Sequence, residues 1–225
     1  MSTAIVTGAS RGLGRALSQA LVTRGWNLVV DARDADALHA AWAREPRVTE
    51  IAGDVADPAH RRALVEAAGG RIDVLVNNAS VLGPSPQPEL CEYPLDELRR
   101  VYEVNVLAPL ALVQLALPRL ARGARILNVT SDAALEPYEG WGGYGSSKAA
   151  LDQVTAILAA EHTDLRVYAV DPGDMRTRLQ QEAFPGEDIS DRPPPEESVP
   201  AFLALLEGEL PSGRYRAAEL AEVPA

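Results

Sequence analysis

Cysteine is nearly absent from this chain: Cys91 is the only one among 225 residues. No intrachain disulfide can form, and nothing marks an oxidising compartment. Acidic neighbours disfavour the Cys91 thiolate, so no redox chemistry is expected there. Histidine is scarce as well. His39, His60 and His162 are scattered among polar neighbours without metal-ligand spacing, so no catalytic metal is expected. Positive charge is in deficit, with 21 basic against 32 acidic side chains and a formal net charge of -11. That balance excludes a general affinity for nucleic acid or anionic membranes and leaves room only for a local basic pocket. A long unbroken apolar run is missing too. The most apolar segment, VNVLAPLALVQLALPRLA, is interrupted by Asn105, Pro109, Gln114 and Pro118 and reads as a buried helix rather than a membrane span. The opening MSTAIVTGAS has neither a basic stretch nor a long apolar one, so no cleaved signal peptide is expected and the protein is placed in the cytoplasm. There is no internal repeat and no evident domain boundary.

What is present is an ordinary globular composition, 47% apolar and 24% charged, in a length that suits one large α/β domain. Short aliphatic runs recur: TAIVTG near the start, NLVVDA from 27, RVTEIAGDV from 47, IDVLVNNA from 72, ARILNVTS from 124 and LRVYAVDPG from 165. Adjacent aliphatic residues of this kind suit strands buried on both faces of a parallel sheet. Helix-period segments lie between them. In the first, Leu13, Ala16, Leu17, Ala20 and Leu21 share one face, and Gly25 can end the helix. The alternation predicts a Rossmann-type doubly wound parallel sheet, a three-layer α/β/α single domain spanning 1–225. Residues 174–200, rich in acids and prolines, are expected to form a loop over the site, and the closing AAELAEVPA a frayed tail.

Gly8, Gly12 and Gly14 fall between the first strand and the first helix. Glycines there allow a tight turn and let a pyrophosphate approach the free N–H groups of the helix N-terminus. The spacing is G-x-x-x-G-x-G, so a plain strand-to-helix turn is the bland alternative to dinucleotide binding. Ser10, Arg11 and Leu13 complete the turn. At the end of the second strand, in VVDARD, Asp31 could hold a ribose hydroxyl and Arg33 a 2′-phosphate. With Arg11 as a second cation, the reading favours NADPH/NADP+ over NADH/NAD+.

In GGYGSSKAAL, Tyr144 and Lys148 stand four residues apart, one turn on a helix face. Alone, such a pair is an ordinary surface contact. Ser131 alone would be a cap and Asn105 a helix start. Their order behind a glycine turn gives them another meaning.

The motifs TGASRGLG at 7–14, GDV at 53–55, NNAS at 77–80, Asn105 in NVLAP, Ser131 in ILNVTS, YGSSK at 144–148 and DPGDMRT at 171–177 resemble the short-chain dehydrogenase/reductase family. The similarity is to the subgroup typified by 3-oxoacyl-carrier-protein reductases, and beyond 177 it is poor. The resemblance implies a catalytic tetrad of Asn105, Ser131, Tyr144 and Lys148. It also implies Asp54 at the adenine amino group, Val55 on the ring, and Asn78 and Ala79 at the ribose. Pro172, Gly173, Met175 and Thr177 would hold the nicotinamide end, and Tyr144 and Lys148 would also touch the cofactor. Ser80 stands where the family more often has glycine.

Ketone reduction needs a hydride at carbon and a proton at oxygen, so the protein must supply alignment and the proton. Tyr144 would act as general acid/base, its pKa lowered by the Lys148 ammonium and the oxidised nicotinamide. Ser131 would polarise the substrate oxygen, and Asn105 would anchor a water that returns the proton through Lys148. Trp141 would wall the substrate pocket, while Asp171 and Asp174 could modify substrate choice. The expected function is an NADPH-dependent oxidoreductase interconverting a small carbonyl and a secondary alcohol. An NAD-dependent alcohol dehydrogenase is the alternative within enzymes, and a non-catalytic dinucleotide-binding sensor or scaffold the alternative outside them. By resemblance, a homodimer or homotetramer is expected, with the apolar segments 105–121 and 148–160 at the interface.

Overall fold

The computed structural model describes residues 2–220. Seven strands form one sheet: β1 (Thr3–Val6), β2 (Asn27–Ala32), β3 (Val48–Ala52), β4 (Ile72–Asn77), β5 (Leu120–Val129), β6 (Arg166–Asp171) and β7 (Gly213–Arg216). Their order is β3-β2-β1-β4-β5-β6-β7, and every neighbouring pair is parallel. The helices are α1 (Gly12–Thr23), α2 (Ala35–Trp42), α3 (Pro58–Ala67), α4 (Leu95–Tyr102), α5 (Ala108–Ala116), α6 (Gly142–Glu161), α7 (Arg178–Ala183), α8 (Val199–Glu207) and α9 (Ala217–Leu220).

The aliphatic runs form strands because both sheet faces are covered, and side chains alternate between the two cores. Ala4, Val6, Leu28, Val30, Val74, Val76, Tyr168 and Val170 face the layer containing Leu17, Leu21, Trp42, Phe202 and Leu206. Ile5, Val29, Leu75, Ile126 and Val167 face the opposite layer, with Leu64, Leu112, Val113 and Leu158. The domain is therefore the expected three-layer α/β/α sandwich.

Local chemistry sets the helix ends. The Asp34 carboxylate accepts from Ala37 N–H at 3.0 Å to start α2, and Asp57 accepts from Ala59 N–H at 2.8 Å before Pro58 opens α3. α1 stops at Thr23, where the N–H groups of Gly25 and Trp26 bond the carbonyls of Val22 and Leu21. The helical run Leu95–Arg119 is long and apolar enough to cross a membrane by length and composition, yet half of its most apolar window is buried inside the domain.

The stretch from 174 to 200 contains more regular structure than the expected loop. α7 lies within it, capped by the Thr177 hydroxyl, and a 3-10 turn spans Pro195–Ser198. Its ends are tied back to the turn after β6: Ser198 Oγ donates to the Pro172 carbonyl at 3.0 Å, and Arg176 N–H donates to Pro193 at 2.8 Å. β7 had no signature in the sequence reading. In the segment expected to fray, residues 217–220 form α9 with Ala217 and Leu220 buried, and residues 221–225 lie outside the described residues.

Strand order reverses between β1 and β4, which opens a crevice at their carboxyl ends. α8, late in the chain, completes one core layer through Phe202, which is 0% exposed. Phe202→Ala is expected to cost about 3–5 kcal/mol and lower the thermal midpoint by roughly 10 °C. An unchanged midpoint in calorimetry would show that α8 lies outside the cooperative core.

Candidate active site

The crevice holds a cleft of about 550 Å³ that runs from the glycine turn to Tyr144. Of the residues anticipated for binding or chemistry, Gly8, Ser10, Arg11, Gly12, Leu13, Arg33, Asp54, Val55, Asn78, Ala79, Ser131, Trp141, Tyr144, Lys148, Pro172, Gly173, Met175 and Thr177 line it. Gly14 and Asn105 do not; they stand behind the wall and shape it.

The glycine turn is tight for a physical reason. Gly8 has φ +69°, and a β-carbon on Gly14 would lie 2.4 Å from both Asn78 Nδ2 and the Gly8 carbonyl oxygen. Asn78 Nδ2 instead donates to the carbonyls of Thr7 and Gly8, at 2.8 and 3.1 Å, and so binds the end of β4 to the turn. From α2, Trp42 Nε1 donates to the Ala9 carbonyl at 2.9 Å. The N-terminus of α1 has no side-chain cap and no acid in its first turn. Its first N–H groups therefore face the cleft without an intrahelical partner, as an anion requires.

At the far side of this turn the two contested residues separate. Asp31 is buried: Gly8 N–H donates to Oδ1 at 2.7 Å and His60 Nε2 meets Oδ2 at 2.9 Å. Burial raises its pKa, opposed by the His60 hydrogen bond. Arg33 is exposed beyond the strand, beside the cleft, with no salt bridge among the described residues. Arg11, the second cation expected near a phosphate, lines the cleft and shares its charge with Asp34 at 3.2 Å. Asp54 is already bound too. It accepts from Ala56 N–H at 2.9 Å and pairs with Arg100 of α4, and these contacts outweigh burial and hold its carboxyl below the ordinary range. Val55 packs with Val104 and Ala108 behind it.

Asn105 lies in a π-helical turn, Glu103–Leu107, between α4 and α5, and not at a helix start. Such turns recur at functional sites. Its side chain is 1% exposed and fully bonded. Nδ2 donates to the Val81 carbonyl at 2.9 Å and to Ser147 Oγ at 3.0 Å, while Oδ1 accepts from Val81 N–H at 3.0 Å and Ser80 Oγ at 3.1 Å. No side-chain capacity remains for a water, so any water on a path to Lys148 needs the backbone. Ser80, an unusual residue for its motif, thus joins Asn105 to the site.

Tyr144 and Lys148 lie on the first turns of α6, buried rather than paired at the surface. Lys148 Nζ donates to the Val129 carbonyl at 2.7 Å and stands 5.5 Å from the centre of the Tyr144 ring. Burial lowers the lysine to about 8, against which Asp152 acts. The expected lowering of the tyrosine is corrected by the structure. Burial, then the Asp171 charge, push the phenol above its ordinary value, while its contacts with the Ser80 and Ser131 hydroxyls oppose them. Loss of water solvation around the phenolate outweighs any help from a lysine whose own charge is weakened. Ser131 Oγ donates to Asp132 Oδ1 at 2.9 Å, and Asp132 Oδ2 accepts from Tyr138 at 2.9 Å. Trp141 meets Tyr144 edge-on at 5.9 Å and packs on Phe184 at 6.0 Å, forming an aromatic wall.

Sequence reasoning passed over three contributors. His60 had been set aside as one of three scattered histidines, Ser80 as a tolerated change, and Arg214 of β7 not noticed. Arg214 donates to the Ser131 carbonyl at 3.0 Å. Only the Ser80 position inside a recognised motif carried a usable signal.

A family model described as short chain dehydrogenase matches residues 2–188. The 1-deoxy-11-beta-hydroxypentalenate dehydrogenase of Streptomyces exfoliatus is 37% identical over 79% of this chain and 69% of its own. The benzil reductase ((S)-benzoin forming) of Bacillus subtilis is 32% identical over 78% of this chain and 75% of its own. A short chain dehydrogenase of Escherichia coli CFT073, solved in complex with NADPH, superposes with a TM-score of 0.87 at 26% identity, covering 96% of both chains. The turn, the cleft and the order of its residues agree with this match: the chain belongs to the short chain dehydrogenase family and is an NAD(P)-dependent oxidoreductase.

Proposed function

We propose that the protein is an NADPH-dependent reductase of a small ketone or aldehyde, with Tyr144 as its general acid. The observation that carries this reading is the meeting of Ser131, Tyr144 and Lys148 at one end of a cleft whose other end is an uncapped helix N-terminus. The residues present fit a nicotinamide dinucleotide. The uncapped α1 N–H groups would take its pyrophosphate; among the described residues, Thr130 Oγ1 in the cleft wall has no hydrogen-bond partner and Arg33 beside the cleft has no salt bridge. When bound, this cofactor supplies the hydride. Arg33 would hold a 2′-phosphate, whereas both oxygens of Asp31 are occupied by Gly8 and His60 and leave little for a ribose hydroxyl.

The remaining chemistry falls to the chain. Ser131 would turn its hydroxyl from Asp132 to the substrate oxygen, and Tyr144 would give that oxygen its proton. Burial and the Asp171 charge keep the phenol protonated near neutral pH, the form that reduction uses. Trp141 and Phe184 would wall an apolar carbonyl partner. The segment 174–200 would contribute the substrate side of the cleft through α7, whose Arg178, Leu179 and Gln180 line it. The lone, exposed Cys91 fits the reducing cytoplasm in which we place the protein.

A carbonyl panel followed by NADPH absorbance tests the reading. Turnover with NADPH is expected to exceed that with NADH, and Arg33→Ala to cost about tenfold or more in kcat/KM for NADPH alone. A wild-type preference for NADH would reject the cofactor assignment. Tyr144→Phe should lower kcat about a thousandfold while NADPH Kd stays within about threefold. Turnover undiminished in that variant would reject Tyr144 as the acid.

Lys148 links function to stability. Its folded value of about 8 lies below its ordinary 10.5, so the folded state holds fewer protons between those values and stability rises with pH across that window. Lys148→Met should therefore raise the thermal midpoint at pH 7 while removing turnover. Its advantage should shrink as pH climbs from about 8 toward 10.5. A midpoint that falls at pH 7 would show that the buried amine stabilises the fold.

We also propose a homodimer or homotetramer built on α5 and α6, since Leu107 beside α5 and Ile157 on α6 are large apolar residues left exposed. Light scattering should find Ile157→Glu smaller than the wild type; a monomeric wild type would reject the assembly.

A further inference from the structure

Arg214 lies in β7, the four-residue strand at one edge of the sheet, and its side chain is 23% exposed. Its guanidinium meets three elements of the site at once. Nε donates to Asp152 Oδ2 at 2.9 Å, and Nη2 donates to the Ser131 carbonyl oxygen at 3.0 Å. The same Nη2 stands 3.6 Å from Asp171 Oδ2. Ser131 follows β5, Asp152 lies one helical turn after Lys148 on α6, and Asp171 ends β6 immediately before the Pro172–Gly173 turn. A planar fork with several donors can hold these three groups together, where an ammonium would reach them only as a point charge.

Charge gives the contact a second consequence. Asp171 acts on Tyr144 and Asp152 acts on Lys148, each favouring the protonated form. Asp152 Oδ1 is buried without a hydrogen-bond partner, so Arg214 is the only group among the described residues that hydrogen-bonds this carboxylate. Asp171 has further partners: Gly173 N–H donates to it at 3.0 Å, and Arg216 stands 3.8 Å away. Asp132, beyond Ser131, also bears on both Tyr144 and Asp171. Arg214 is thus placed where the two carboxylates on either side of the Tyr144–Lys148 pair can share one cation.

We propose that Arg214 is a positioning residue for carbonyl reduction: it fixes Ser131 to the helix of Tyr144 and Lys148 and to the turn after β6, and balances the carboxylates that face that pair. The role in turnover rests on the function proposed above; the effect on the field of the site does not.

Lys148 is the only lysine in the chain, which makes the field directly measurable. Protein grown on ε-carbon-labelled lysine gives a single side-chain NMR signal, whose midpoint in the wild type is expected near 8. Arg214→Met should move that midpoint upward by about one pH unit, because a cation is lost and Asp152 is left uncompensated. Asp152→Asn should move it downward, and Arg214→Lys should fall between Arg214→Met and the wild type. With NADPH and an accepted carbonyl, Arg214→Met should lose about ten- to a hundredfold in kcat, with KM for NADPH within about threefold and partial recovery in Arg214→Lys. A folded Arg214→Met protein with an unmoved Lys148 signal and wild-type kcat would overturn the proposal. Should that variant not fold, an unmoved signal in Asp152→Asn would overturn it instead. Absence of turnover in the wild type would count against the assigned reaction, whereas an unmoved Lys148 signal counts against Arg214 alone.

Discussion

The Lys148 amine is removed from water beneath the carboxyl edge of the sheet, with the Val129 carbonyl 2.7 Å away as its hydrogen-bond acceptor. A cation in such a place is costly, and the cost is visible in its lowered pKa. The surrounding structure is arranged around that demand. β5 must end where its last carbonyl can receive the amine, and α6 must begin where Tyr144 and Lys148 both reach the cleft. Asp152 must stand one turn away, close enough to favour the charge without quenching it. The same burial that weakens the lysine also raises the tyrosine, so the pair shares one environment with opposite effects on its two members.

The opposite end of the cleft is governed by backbone proximity. Gly14 leaves the space in which Asn78 and the Gly8 carbonyl meet, and Asn78 in turn joins β4 to the glycine turn. Beneath them, Asp31 spends its carboxylate on the Gly8 N–H and His60. This buried anion lines the cleft wall and holds the turn, with both oxygens already bonded. The exposed field above the turn is then left to Arg33, one residue beyond the strand. One acid and one base, two positions apart, are thereby given separate tasks by burial alone.

Most of the architecture was legible because it depends on local pattern. Aliphatic runs such as LVV and VLV can be buried only on two faces, and their alternation with helical segments leaves few topologies. The residues that line the cleft were legible because they occur in ordered motifs close to strand ends. Contacts between side chains remote in sequence were not. His60 pairs with Asp31 across 29 positions, and Arg214 reaches Ser131 across 83. Nothing in PSGRYRAAEL announces a strand, since GRYR is short and strongly charged; only the neighbouring β6 backbone makes it one. Asn105 was found by its motif, but its π-helical setting and saturated side chain follow from the packing of Ser80, Val81 and Ser147 around it.

Charge around Tyr144 bears on the direction of chemistry. Three carboxylates, Asp132, Asp171 and Asp152, surround the Tyr144–Lys148 pair, and Arg214 contacts two of them. Asp132 has no salt bridge among the described residues and instead accepts from Ser131, Tyr138 and the Ala133 N–H. An anion so placed disfavours the phenolate and draws the serine proton away from any oxygen in the cleft. Oxidation of an alcohol would need the phenolate, against both the carboxylates and burial. In the reduction proposed above, Tyr144 would start as the phenol that these same groups maintain, and the Ser131 hydroxyl would rotate toward the substrate oxygen. On the function proposed above, the acidic surroundings hold Tyr144 in the protonated form from which reduction would start, while the reverse direction would start from the phenolate that they disfavour.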